Sequence, residues 1–493
     1  MVDPSARGGP PASMSAGDGM LHIGLFFDGT RNNARNLALQ RHPPSPLPRP
    51  PAVRAGDASP YQSRLTSSYD NGPTNIARLH RLYPDTRRVG GGPLSLAIYT
   101  EGTGTRDGRP DDLIGLAFGT GATGIRAKVD RALQAQLPEA LRALARATAA
   151  PVRSVRIDLF GYSRGAACAR EAASELQGWP VARWQALLHG AGLAMAPSFA
   201  LPVPAIRFIG LFDTVVALSG RHVSAPLRLY LPVGIADKVV QLVARDEHRE
   251  HFALTSVAPE HEEIALPGSH ANVGGGCDQD VEGPKLLTRP RSQAIARPPF
   301  AAFTVPDRAW LQATASHRQA RAEAVRWRQR LGVDDTALWV DSWHQWVRQR
   351  HAGSRSALPE PTLYVYSAVV LKRPIDWRYQ LVALRLMHRR AQRAGVAWTH
   401  TPDEVTGWAL PDDLQAVSQR LLDGQALTND QDALLRRRYL MQSAHWNFDA
   451  LGDTALAYAA EADVRELPYR PGPGLFYINR PTADGRRVVR PNV

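Results

Sequence analysis

The chain has 493 residues, 44% hydrophobic and 21% charged, enough apolar material for one large core or two medium ones and too much for wholesale disorder. The net charge of +13 favours contact with polyanions, but the excess is arginine spread along the whole length, with no nucleic-acid recognition motif, so a transcription factor or nuclease is disfavoured and no nucleic-acid partner is expected. Cys168 and Cys277 are the only cysteines, which excludes a disulfide framework and, with no CxxC or clustered histidine, a zinc site.

Residues 1–19 are rich in Pro, Gly, Ser and Ala and lack a basic stretch followed by an apolar run. They read as a flexible segment with no Sec signal. No run of about 18 apolar residues occurs, so no membrane-spanning helix is expected. Export, if any, is expected by a route that reads no cleavable signal.

Four short apolar runs each end in a small polar turn. Leu21 to Phe27 runs into Asp28-Gly29-Thr30, and Leu94 to Tyr99 into Glu101-Gly102-Thr103-Gly104-Thr105. Val155 to Phe160 runs into Gly161-Tyr162-Ser163-Arg164-Gly165, and Ile206 to Phe212 into Asp213-Thr214-Val215. Buried parallel strands read this way. Helical spacing fills the intervals: Ala127 to Ala147, kinked or split by Pro138, and Ala166 to Leu176 directly after the serine turn. Alternating strands and helices predict an α/β-hydrolase-like, mostly parallel, doubly wound sheet with all four turns on its carboxyl edge, where ligands bind. Arg35 to Asp70 is Pro- and Ser-rich and reads as a loop. Residues 278–374 carry Trp310, Trp327, Trp339, Trp343 and Trp346 among many Arg, and read as an insertion, either a lid or a membrane- or partner-binding subdomain. Residues 20–277 then hold the hydrolase core, and residues 375–493 return to it through a basic helix from Tyr379 to Gly395.

The pentapeptide from Gly161 to Gly165 fits a nucleophile elbow, G-x-S-x-G. The turn is too sharp for large flanking residues, and it leaves Ser163 exposed at the head of a helix. There the following N–H, that of Arg164, serves an oxyanion. A serine hydroxyl needs a histidine to take its proton and a carboxylate to orient that histidine. In the chain order Ser, acid, His, Asp213 is the candidate acid, and His270 and His445 compete for the base. His270 lies in a glycine-flanked loop after a strand-like run. His445 comes later, where the last strand often delivers the histidine. The turn at Asp28 and Gly29 is a further candidate for oxyanion donors, for bracing a loop, or for a cation held by Asp28; a plain Asp-Gly turn is the plainer reading.

Taken together, Phe27-Asp28-Gly29-Thr30-x-Asn32-Asn33, Thr74-Asn75-Ile76, Gly102 to Thr105, Gly161 to Ala167, Phe212 to Val215 and Pro267-Gly268-x-His270-x-x-Val273-Gly274-Gly275-Gly276 resemble, in order, the lipase class of type VI secretion effectors that opens with a DGT motif. The resemblance covers residues 21 to 277 and resumes weakly at Leu381 to Gly395, Ser443 to His445 and Arg480-Pro481. It implies phospholipase A activity with no cofactor, calcium dependence being left open. It also implies a Ser163, Asp213, His270 triad, so His270 is preferred to His445. Its other implications are a membrane phospholipid substrate, a spike or adaptor partner, a cognate immunity protein, and passage from the bacterial cytoplasm through a contractile machine to a target cell's periplasm or membrane. Two positions depart from the pattern. Asn272 stands where the family usually has Asp, harmlessly if that residue only braces the loop and with loss of activity if it orients the base or holds a cation. Cys277 stands where an aromatic residue is usual. The Trp-rich insertion matches no part of the family pattern.

Overall fold

The computed structural model describes residues 19–41, 62–64, 68–69, 71–88, 93–109, 111–112, 121–216, 227–348, 361–446, 448–450 and 479–492. The segment 1–18 and residues 42–61 of the Pro/Ser-rich stretch lie outside the described residues. The four apolar runs are strands β1 (Met20–Phe27), β2 (Ser95–Thr100), β3 (Ser154–Tyr162) and β4 (Ile206–Phe212), joined by β5 (Lys238–Ala244) and β6 (Glu262–Leu266). They form one sheet in the order β2-β1-β3-β4-β5-β6, and every pairing is parallel.

Both faces of β1 to β4 are covered, which is why they read as apolar runs; the edge strand β6 is mostly half-buried. Successive side chains alternate between the two cores. Leu21, Ile23, Leu25 and Phe27 of β1, with Val155, Ile157 and Leu159 of β3, face the helices between 125 and 190. Phe26 of β1, Phe160 of β3 and Phe208 of β4 face the opposite side. That side is covered by α1 (Asn75–Leu82) and by a helix from the carboxyl third of the chain that contributes Leu381, Leu384 and Met387. Fully burying a side chain of this size contributes about 1.5–3 kcal/mol, so the distant segment 380–393 is bound tightly to the hydrolase sheet.

Further helices set the remaining geometry. α2 (Arg164–Gln177) continues from the end of β3, and α3 (His270–Gly274) follows β6. The helical stretch after 125 is divided: Ile125–Asp130 and Leu137–Ala147 are α-helical and Arg131–Gln136 is π-helical. The irregular turn thus precedes Pro138, whose missing N–H falls at the junction where the π-helical piece gives way to the last α-helical one. One expectation fails in part: within the stretch Arg35 to Asp70, read as a loop, Arg35 to Arg41 belong to a helix, Ala34–Arg41, and Gln62–Arg64 is a short strand. The Asn33 side chain accepts from the N–H groups of Arg35 and Asn36 and so starts the helix.

Residues 278–374 form their own antiparallel sheet of β7 (Val281–Leu286), β8 (Arg291–Ile295), β9 (Leu338–Arg348) and β10 (Pro361–Pro374). Strand β10 is central, with β9 along one edge and β8 and β7 sharing the other. The helix α4 (Ala315–Leu331) packs on this sheet, and α5 is the helix Gln380–Arg393 already placed on the main one. The tryptophans fill the small cores here. Trp327 packs against Leu331, Leu338 and Val369; Trp339 and Trp343 against Leu286, Ala368 and Val370; Trp310 and Trp346 against Leu363 and Val365. The sheet is fastened to the carboxyl-terminal segment by the buried Arg373, which pairs with Glu282 and donates to the carbonyls of Arg436 and Leu440. Among the described residues no helix is long and apolar enough to cross a membrane.

Candidate active site

Parallel strands deliver their polar turns to one edge, and the candidate residues meet there. Ser163 follows β3 with φ 58° and ψ −124°, a region that side chains rarely occupy. The turn holds because its neighbours leave no alternative. A Cβ at Gly161 would lie 2.4 Å from the Gly165 carbonyl oxygen, and a Cβ at Gly165 would lie 2.3 Å from the carbonyl oxygens of Phe27 and Asp28. Both glycines of the motif are therefore required by close backbone approach. The Ser163 N–H donates to the Phe212 carbonyl, and the Val215 N–H donates to the Ser163 carbonyl. The elbow is thus tied to the loop that carries the acid.

Asp213 follows β4, also at positive φ, 48°. His270 opens α3, and its Nδ1 lies 2.5 Å from Asp213 Oδ2. Nδ1 faces a carboxylate, so it carries the proton, and Nε2 is the nitrogen left for a substrate-side role. The imidazole is held between Tyr162, ring centroids 4.7 Å apart, and Phe252, 5.0 Å away edge to face. Burial pushes its pKa below the ordinary value, against the pull of Asp213. Burial also disfavours ionised Asp213, but the Arg487 guanidinium and the His270 hydrogen bond outweigh it and hold this carboxyl well below the usual range.

Two supporting groups carry no local sequence signal. Arg487 sits 274 positions beyond Asp213 in a basic run and donates to both of its carboxylate oxygens, at 2.6 and 2.8 Å. Glu247 is fully buried and accepts from the His270 backbone N–H at 3.2 Å and from Ser443 Oγ at 3.0 Å. Burial opposes its charge, yet the Arg249 guanidinium on it brings its pKa down to about 2.

The motif residues around the edge are hydrogen-bonded to one another and to the neighbouring strands. Asp28 is buried and accepts from Tyr99 Oη at 2.5 Å, Thr74 Oγ1 at 2.7 Å and the Gly29 N–H at 2.7 Å. Burial raises its pKa to about 6 despite these donors. Its own N–H donates to the Thr100 carbonyl. The N–H groups of Asp28 and Gly29, expected as oxyanion donors, are thus both committed within the protein. The Arg164 N–H lies in the first turn of α2, where the helix dipole favours negative charge. The Arg164 side chain is buried and donates to Thr30 Oγ1 at 2.7 Å; burial lowers its pKa to about 9. Asn75 ties α1 to the histidine loop, donating to the carbonyls of Val273 and Gln380.

Asn272 braces the histidine loop. Its Oδ1 accepts from the N–H groups of Ser269 and Met441, and its Nδ2 donates to the Tyr439 carbonyl at 2.9 Å. That last bond needs an amide; a carboxylate has no hydrogen to give. His445 is also buried: its backbone N–H donates to the Asn479 carbonyl, and its ring lies within the electrostatic reach of Lys285, Arg249 and Glu247. It is His270 that the structure brings to Asp213. Among the described residues, no group of three or more His, Cys, Asp or Glu is placed to hold a metal ion.

A parallel sheet covered on both faces, with a strained serine turn, an acid and a histidine after β3, β4 and β6 on its carboxyl edge, is the architecture of an α/β hydrolase. Among solved structures, the chain has the fold of the Tle1 effector bound to the VgrG spike from the type 6 secretion system. The likeness covers 97% of this chain and 95% of that one, with a TM-score of 0.67 and 24% identity. An uncharacterized protein from Pseudomonas aeruginosa aligns over 52% of this chain and 42% of its own, at 20% identity and a TM-score of 0.27, too loosely to argue from. No protein-family model matches the sequence, and no curated protein does.

Proposed function

We propose that this chain is an effector lipase, a serine esterase that cleaves acyl ester bonds of membrane phospholipids. The observation that carries the reading is the 2.5 Å contact between His270 Nδ1 and Asp213 Oδ2, with the His270 ring 4.7 Å from that of Tyr162, the residue before Ser163 in the strained elbow. In this reading His270 Nε2 takes the Ser163 proton as Oγ attacks the ester carbonyl. Asp213 stabilises the imidazolium that forms, and the Arg164 N–H faces the developing oxyanion. The imidazolium then protonates the leaving lysophospholipid, and water, activated by the same nitrogen, releases the fatty acid. The fold shared with a spike-bound effector supports delivery by a type VI machine on a spike or adaptor protein. Delivery into a rival cell's periplasm or membrane, with an immunity protein in the producer, completes the proposal.

Fatty-acid release from defined phospholipid vesicles, wild type against Ser163→Ala, tests it, together with labelling by a fluorophosphonate. Release and labelling by the wild type alone are expected. Equal labelling of both proteins, or no release by the wild type, would overturn the reading.

A further inference from the structure

Residues 479–492 run as a strap along residues 248–256, the segment behind the candidate base. The Glu250 N–H donates to the Arg480 carbonyl and the Thr482 N–H to the His248 carbonyl. Further on, the N–H groups of Leu254 and Ser256 donate to the carbonyls of Val488 and Arg490. The far end is locked by Asn492, whose Oδ1 accepts from the buried Arg170 at 2.6 Å and from the Leu231 N–H at 3.1 Å. Arg487 lies between these fixed points with only 8% of its side chain exposed. Its Nε is also fixed, donating to the Phe252 carbonyl at 2.8 Å.

We propose that Arg487 is a positioning residue for the serine chemistry, delivered by the strap to hold Asp213 in the one orientation that accepts from His270; this rests on the esterase reading above. A carboxylate has about four acceptor directions, and here four donors meet it. Oδ1 takes the Ala244 N–H at 2.9 Å and Arg487 Nη1 at 2.6 Å. Oδ2 takes His270 Nδ1 at 2.5 Å and Arg487 Nη2 at 2.8 Å. A planar fork fixes both oxygens at once, which a lysine cannot do. Without it the carboxylate keeps one donor per oxygen, buried and free to turn.

The charge matters as well as the shape. The charged groups facing His270 are Asp213 and Arg487 from one side and Glu247 and Arg249 from the other, with Tyr162 and Phe252 on the ring. Removing the Arg487 cation leaves more uncompensated negative charge beside the imidazole, so His270 holds its proton to higher pH. The acid limb of kcat/KM then moves upward.

The test compares wild type, Arg487→Met and Arg487→Lys on a soluble short-chain ester. It also records the low-field proton resonance of the His270 Nδ1–H, assigned by its loss in His270→Ala. Arg487→Met is expected to lower kcat by about 10- to 100-fold, the scale of a misoriented catalytic group. It should leave KM within about twofold and raise the acid limb by about one pH unit. Arg487→Lys keeps the charge and loses the fork, so it should hold the wild-type limb while recovering only part of kcat. An Arg487→Met protein with wild-type kcat and limb, or an unmoved Nδ1–H resonance, would make Arg487 a mere fastener of the strap. Should Arg487→Met not fold, Arg487→Lys with full wild-type kcat overturns the proposal in the same way. The resonance is read without turnover, so a wild type that cleaves no ester would sink the esterase reading while Arg487 is still put to the test.

Discussion

Replacing Ser163 by glycine and, in parallel, by alanine isolates the energetic cost of the elbow. At an ordinary helix N-cap, Ser→Ala costs about 0.5–2 kcal/mol and Ser→Gly a few tenths, because the serine oxygen caps a backbone N–H. Ser163 makes no such cap bond, and its backbone sits at φ 58°, ψ −124°. A non-glycine residue in such a region costs about 1–3 kcal/mol. Glycine removes that cost and gives back about 0.5–1 kcal/mol through its looser unfolded chain. The two terms leave Ser163→Gly more stable than wild type by about 1 kcal/mol, while Ser163→Ala, which keeps the strain and loses no cap, stays within about 0.5 kcal/mol. Equilibrium urea unfolding of the three proteins reads this as the order of midpoints. A Ser163→Gly midpoint at or below that of the wild type would show that the elbow stores no strain, and the structural case for an activated serine would lose its footing.

His270→Ala should lower ester turnover by about three orders of magnitude or more, the scale of losing a triad member, while His445→Ala should cost far less; steady-state kinetics on a soluble ester decides, and the reverse order would move the base to His445. The base must be neutral to accept a proton, and burial sets the His270 pKa below the ordinary 6.5. The acid limb of the wild-type kcat/KM profile is therefore expected below pH 6.5, and a limb above it would contradict the buried environment.

Four of the six strands were readable because each is a short apolar run broken by a polar turn, and parallel order puts those turns on one edge; β5 is not among them, and β6, which opens on Glu262 and Glu263, lacks the apolar signal. Ser163 and Asp213 were legible as candidates for the same reason, each standing at a strand's carboxyl end; between His270 and His445 the residues alone left the choice open, and only the family resemblance favoured His270. The helix at Ala34–Arg41 was missed because the proline-rich stretch after it dominates the reading, although the Asn33 cap was there to be seen. The committed N–H groups of Asp28 and Gly29 were out of reach of the sequence, since a DGT turn looks the same whether its amides point outward or are spent on its own carboxylate and the next strand.

What the sequence could not show is the support from distant segments, and the reason is physical. Local patterns report periodicity, caps and turns, all set within a few residues. Arg487 reaches Asp213 across 274 positions and Asn272 reaches Tyr439 across 167, so no periodicity links either pair. Arg487 also belongs to a chain so rich in arginine that one more basic residue near the end carries no contrast. Yet the requirement was present in outline. A carboxylate meant to stay ionised in a buried site needs donors beyond one imidazole, or burial will protonate it. Asp213 is fully buried, and the guanidinium that meets it is that of Arg487. The same reasoning applies to Glu247, which finds Arg249 two residues on. For Asp213 that donor comes from the last stretch of the described chain, so on the proposed reading the candidate site is complete only with the strap in place.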